Sequence, residues 1–270
     1  MKDFYLVHEF SVLSGIEVSK LKYWDEIGLF SPVKRNPENN FRYYSLVQLL
    51  ALNFVDTLSK LNIPLKIIGD LRNDRDPEKF LAILEKKERE LDMELRRVRE
   101  SSSIIHARQK LIRSGIKTEN SGLEEQISIM RIENDETFAL WPKNEYKEGD
   151  TFLEPLTDFV RQTGEHHINL GFPVGGYYES IECFTATPNR PCNFISIDPT
   201  GLHKRKAGQY LTGFARGYYG DLGDLPQRMN AYAKENAVET KGPVYILYLF
   251  EETCIQDPSR YLAQCCIAVK

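Results

Sequence analysis

The chain has 270 residues, 41% of them apolar and 27% charged, with a net charge of −4. That length favours two domains over one, and the balance describes a globular protein rather than a disordered or fibrous one. No apolar run approaches the ~20 residues of a membrane span, and the opening MKDFYLVHEF has no basic segment ahead of an apolar core, so no signal peptide and a cytoplasmic location are expected.

In chain order, residues 5–14 repeat at helical spacing, with Leu6, Phe10 and Leu13 on one face and Gly15 as a stop. A second helix pattern runs from Val18 to Ile27, with Ser19 at its entry, Leu21, Trp24 and Ile27 as its buried stripe and Gly28 closing it. Two short helices joined by a tight glycine turn predict a helix-turn-helix, whose second helix enters the DNA major groove. Lys20, Lys22 and Tyr23 then point away from the stripe, and lysine there meets phosphates or guanine edges. Lys34 and Arg35 precede an NPENN turn, and Arg42 follows it, flanked by Phe41 and Tyr43-Tyr44. Two short strands around that turn form a basic wing, which adds affinity and orientation through phosphates.

The stretch VHEFSVLSGIEVSKLKYWDEIGLFSPVKRNPENNFRYYS resembles the DNA-binding head of MerR-family transcription regulators. The residues carrying the resemblance are Leu21-Lys22-Tyr23-Trp24-Asp25, Gly28-Leu29-Phe30, Pro32 and Arg42-Tyr43-Tyr44. It continues through Val47-Gln48-Leu49-Leu50 to Lys60 and then Ile63-Pro64-Leu65, the family's second helical pair. The chain departs from the family at Lys22, where arginine is usual; a lysine is a point charge without the bidentate fork. Lys20, Lys22, Tyr23, Lys34, Arg35, Arg42 and Tyr43 are the expected DNA contacts.

Residues 77–113 predict one long charged helix that Ser114-Gly115 ends, followed by a linker from Thr118 to Gly122. Leu81, Leu84, Leu91, Leu95, Val98, Ile105 and Ile112 follow 3-4 spacing, with Glu88, Ser102 and Gln109 as polar seam positions. That is an interrupted coiled-coil signal. The resemblance implies an antiparallel homodimer presenting two heads to a palindromic operator.

The C-terminal half predicts βαββ twice. The first copy is a strand at 127–131, a helix over 152–162, and strands at 176–184 and 193–197. The second is a strand at 206–218, a helix over 225–236, and strands at 244–250 and 262–269. Order and pattern resemble the GyrI-like effector domain of multidrug-binding MerR activators, whose aromatic pocket and buried acid attract lipophilic cations through charge and cation–π contacts. This chain reads Val244-Tyr245-Ile246, so isoleucine stands where that family's acid would be. The ligand-contact candidates are Ile246 and Tyr248 on one strand face, Tyr210, Tyr261, Trp141 and Tyr146 in a loop before the first helix, and Glu179 as a replacement acid. Glu182 is its alternative, on the opposite face of the same predicted strand.

The five cysteines, Cys183, Cys192, Cys254, Cys265 and Cys266, give no CxxC pair and no zinc spacing. His166-His167 have nothing at ligand spacing beside them and read as a loop or helix end. No phosphate loop, dinucleotide fingerprint or nucleophile elbow occurs, so no catalytic residue, metal or cofactor is assigned.

The resulting expectation is an α+β chain. It has a winged helix-turn-helix head (1–76), a coiled-coil dimerisation helix and linker (77–118) and a duplicated βαββ effector domain (119–270). The resemblance implies a promoter-bound activator that distorts double-stranded DNA for RNA polymerase when a small lipophilic aromatic or cationic drug is bound. Two alternatives for the C-terminal half are a small-molecule hydrolase using Glu179 or Glu182, and a protein-binding module.

Overall fold

The computed structural model describes residues 3–74, 76–165, 171 and 173–270; His166 and His167 lie outside the described residues. The chain divides into two units, one ending at Arg96 and the other starting at Arg97.

The first unit opens with β1 (Tyr5–Leu6), α1 (Val7–Ser14) and α2 (Val18–Glu26), followed by β2 (Lys34–Arg35) and β3 (Arg42–Tyr44). The three strands form an antiparallel sheet in the order β1-β3-β2, with Lys34 opposite Tyr43 and Arg35 opposite Arg42. The turn between β2 and β3 closes with Asn40 in the left-handed region at φ 57°, which asparagine tolerates well. Then come α3 (Gln48–Lys60), α4 (Leu65–Asn73) and the start of α5 (Pro77–Ser121).

The core of this unit is a stack of three near-parallel rings. Phe10 and Tyr44 lie 4.7 Å apart, and Phe30 sits 5.8 Å from Tyr44. Such pairs add about 0.5–1.5 kcal/mol each beyond area burial. Leu21 and Trp24 are buried with them, but Leu13 and Ile27, expected inside, are exposed. Gly28 is the reason for Ile27. At φ 73° it reverses the chain, so that Leu29 and Phe30 both donate their N–H to Trp24 O and fill the core instead.

In the second unit, after the end of α5, come β4 (Ser128–Ile132), β5 (Glu136–Lys143), α6 (Leu153–Glu165), β6 (Val174–Tyr178), α7 (Ile181–Ala186), β7 (Asn193–Ile197) and β8 (His203–Arg205). The chain then continues through β9 (Gly208–Arg216), α8 (Leu225–Glu235), β10 (Thr240–Phe250) and β11 (Leu262–Val269). Eight strands form one antiparallel sheet in the order β4-β9-β11-β10-β6-β7-β5-β8. The central β10 is buried on both faces. Val244, Ile246 and Tyr248 join Phe184, Phe194 and Met229 in one core, whereas Tyr245, Leu247 and Leu249 join Leu111 of α5, Phe138 and Tyr210 in the other.

Three expectations are corrected here. The long helix does not stop at Ser114-Gly115; it runs to Ser121, and Gly122 ends it at φ 64°. Gly115 is buried, and a Cβ on it would lie 2.6 Å from the Phe250 ring, so that glycine serves a close helix–sheet approach. A whole strand, β5, lies in the segment expected as loop, which puts Trp141 on a strand. Residues 176–184 are not one strand, because β6 ends at Tyr178 and Ser180 caps the short α7 by accepting from the Cys183 N–H. Glu179 and Glu182 therefore do not share a strand. No helix among the described residues is long and apolar enough to cross a membrane.

Candidate functional site

In the first unit the organising group is a carboxylate, Asp25, whose side chain is 2% exposed. Its Oδ2 accepts from Arg42 Nε at 2.6 Å and from Arg35 Nη2. Asp25 lies on α2, Arg35 on β2 and Arg42 on β3, so one buried carboxylate ties the wing to the second helix. Removing a carboxylate from water is unfavourable unless such charged hydrogen bonds replace the hydration.

A second carboxylate ties α3 to α2. Asp56 of α3 accepts from Lys20 of α2 at 2.9 Å and from Lys60 at 2.7 Å. Burial works against ionising Asp56, but the two lysines outweigh it and hold its pKa below the ordinary value. Lys20 also sits 4.7 Å above the Trp24 ring.

The seven expected DNA contacts thus fall into two groups. Lys20, Arg35 and Arg42 spend at least part of their charge inside the unit. Lys22 and Lys34 are exposed and enter no ion pair among the described residues, Tyr23 is half exposed, and Tyr43 is half-buried. Lys22 and Tyr23 stand on α2, and Lys34 and Tyr43 stand opposite each other in the wing. Sequence reasoning missed Asp25 and Asp56. The available signal was an acid adjoining the buried Trp24, and an acid set between Val55 and Leu58.

The second unit does not gather its seven candidates into one cavity. Tyr248 is buried in the core beneath the helices and its hydroxyl accepts from the Gly220 N–H at 2.7 Å; Ile246 lies in the same core. Tyr261 packs on Tyr219, which in turn meets Tyr248 edge-on. Trp141 packs edge-on to Phe159, and the Tyr146 hydroxyl donates to Pro191 O at 2.7 Å. Glu179 is exposed and paired with Lys143 at 3.0 Å. Only Tyr210 reaches the opposite sheet face, the one α5 covers.

That face holds a charged cluster the sequence did not reveal. Glu136 of β5 and Arg205 of β8 are paired across neighbouring strands. Arg205 is 3% exposed; its Nε donates to Glu136 Oε2 at 2.9 Å, its Nη2 to the same oxygen, and its Nη1 lies 2.8 Å from Cys266 Sγ. Lys110 of α5 takes the other oxygen of Glu136. Burial opposes the Glu136 charge, yet Arg205 and Lys110 outweigh it and lower its pKa. The guanidinium lies 5.2 Å from the Tyr245 ring, 5.4 Å from Phe138 and 5.8 Å from Tyr210. Beside it is a cleft of about 280 Å3 between Lys110, Leu111 and Ser114 of α5 and the sheet residues Thr212, Leu247 and Gln264.

Residues 5–74 match the model of the MerR HTH family regulatory protein. Over its full length the chain is 24% identical to the multidrug-efflux transporter 2 regulator of Bacillus subtilis, covering 98% of that protein. It is 29% identical to the multidrug-efflux transporter 1 regulator of the same organism over 90 residues, which are 33% of this chain and 32% of that one. Among solved structures, that of an EcmrR–DNA complex in EcmrR–RPo aligns over 98% of this chain and 99% of that one, at 15% identity and a TM-score of 0.39. Both relatives are named as regulators. Residues 5–74 thus form a head of the MerR HTH regulatory type.

Proposed function

We propose that the chain is a cytoplasmic, homodimeric activator that binds promoter double-stranded DNA through its head. In this reading it distorts that DNA for RNA polymerase when a small lipophilic aromatic or cationic ligand occupies a GyrI-like effector domain (119–270). The observation that carries the DNA half is the Asp25 clamp. It makes α2 and the wing one rigid surface from which Lys22, Lys34, Tyr23 and Tyr43 project, so groove and phosphate contacts are presented together. Lys20, Arg35 and Arg42 complete the proposed contact set, with part of their charge committed internally. Distortion of the duplex would act as the switch, because the energy of deforming DNA can be offset only by contacts the bent form gains.

Dimerisation over 77–118 is supported by the exposed seam of α5. Leu81, Leu91, Leu95, Val98 and Ile105 are each 44–59% exposed in the single chain. A row of large apolar residues at 3-4 spacing on one helix is what a coiled-coil partner covers. The expected first strand at 127–131 is β4, which pairs with β9 of the other half, so a duplicated βαββ holds only with β5 in its place. That version is supported by strand order, since β9-β11-β10 and β6-β7-β5 are in reversed order on either side of the β10–β6 pairing, with α8 and α6 as crossovers. The names of the relatives support a ligand linked to drug efflux. The test is duplex bending by energy transfer between labelled ends of a sequence selected from a random pool. Protein-dependent bending that rises with a lipophilic aromatic is expected; absence of duplex binding at low salt would sink the proposal.

A further inference from the structure

The cluster beneath α5 changes what that ligand can be, an inference that rests on the effector reading above. Aromatic rings around a buried acid make a receptor for a cation. Here that receptor is already filled from within the chain: Arg205 lies among Phe138, Tyr210 and Tyr245, and both oxygens of Glu136 are taken, one by Arg205 and one by Lys110. An incoming cation finds no free carboxylate and would have to displace a guanidinium that is almost wholly out of water.

What remains open is the adjoining cleft. Its floor is apolar at Leu247 and Leu249, and its neutral polar groups include Ser114, Asn134, Thr212 and the half-buried Gln264, whose side-chain amide has no partner among the described residues. Of the charged residues around it, Lys110, Arg131 and Arg205 are cationic, against only Glu133 and Glu136. Lys110 is 58% exposed at the mouth and uses its ammonium on Glu136 alone, so it retains donors for a second acid.

We infer that the cleft between α5 and the sheet binds an aromatic carboxylate, with the ring on Leu247 and Leu249 and the acid on Lys110. A volume of about 280 Å3 suits a bicyclic ring system. Because Lys110 belongs to α5, the ligand's acid competes with Glu136 for a group on the helix that leads to the head.

The experiment uses the full chain and three probes of one shape: 2-naphthoate, 2-naphthylmethylammonium and 2-naphthalenemethanol, titrated by calorimetry. Naphthoate binding at least about tenfold tighter than the ammonium supports the inference. Lys110→Met, at a largely exposed site, should bring naphthoate down to the level of the alcohol. Arg205→Met, where it folds, should shift preference toward the ammonium by unmasking Glu136. Tighter binding of the ammonium by the unmodified chain, or an unchanged naphthoate affinity in Lys110→Met, overturns it. Binding to a selected duplex is measured on the same preparation. A chain that binds DNA but none of the probes overturns the cleft and leaves the regulator standing. One that binds naphthoate but no duplex supports the cleft and sinks the regulator.

Discussion

Arg42 Nε lies 2.6 Å from Asp25 Oδ2, and the carboxylate it meets is almost wholly buried while the Arg42 side chain is 18% exposed. The pair joins a strand to a helix 17 positions earlier in the chain. A residue expected as a surface phosphate contact is therefore also a structural anchor. Asp25→Ala should destabilise the first unit by about 1–3 kcal/mol, less than for a fully buried pair because Arg35 and Arg42 can regain water. Urea unfolding followed by Trp24 fluorescence reads this, and an unchanged midpoint would show that the clamp contributes nothing.

Lys34 has no such anchor. Lys34→Ala should weaken duplex binding uniformly across sequences and reduce the slope of log affinity against log salt by about 0.9, the value for one phosphate contact. Thermal stability should stay the same. A slope equal to that of the unmodified chain would remove Lys34 from the interface. Arg42→Ala, by contrast, should lower stability as well as affinity.

The head was legible because its signals are local. Gly15, Gly28, the asparagine turn and the Leu21–Trp24 spacing lie within one 40-residue stretch, and each dictates backbone geometry where it stands. The C-terminal half was less legible for physical reasons. β5 carries Pro142 at an irregularity in its pairing with β7, between Leu140 and Lys143, which blurs its alternation. α7 is a six-residue helix of the sequence IECFTA, whose isoleucine, phenylalanine and threonine read as strand formers. Glu136 and Arg205 are 69 positions apart, so no spacing rule can pair them; only the β5–β8 register does.

The seam of α5 is the third test. Leu91→Glu combined with Val98→Glu places charges in an apolar row spaced by seven residues, where both side chains are exposed in the single chain. Sedimentation should show a monomer, with duplex affinity falling by at least about tenfold as two-head avidity is lost. A dimer that survives both changes would place the subunit interface elsewhere.

Glu136 predicts a pH dependence. Its folded-state pKa is lowered, although burial alone would raise it, because Arg205 and Lys110 stabilise the carboxylate. A depressed carboxylate pKa adds stability that is present above the ordinary value of 4.5 and is lost as pH falls through the folded value. The second unit should therefore lose stability as pH falls below about 4.5. Glu136→Gln should be less stable at pH 7, since it leaves Arg205 without its counter-charge, and should show a shallower acid slope. Parallel acid curves for the two proteins would exclude Glu136 as the group responsible.

Gly115 gives a prediction whose sign runs against helix propensity. In an exposed helix interior, glycine to alanine stabilises by about 1 kcal/mol. Here the added methyl would meet three atoms of the Phe250 ring at 2.6–3.0 Å, and Phe250 is itself 5% exposed with little room to withdraw. Overpacking of that kind costs about 1–3 kcal/mol, so the contact outweighs the propensity. Gly115→Ala should lower the melting temperature of the second unit, and Phe250→Leu in the same chain should restore part of the loss by opening space for the methyl. If Gly115→Ala instead raises the melting temperature, α5 does not approach β10 this closely in solution, and the cleft that Lys110 and Leu111 form with the sheet would be wider than described.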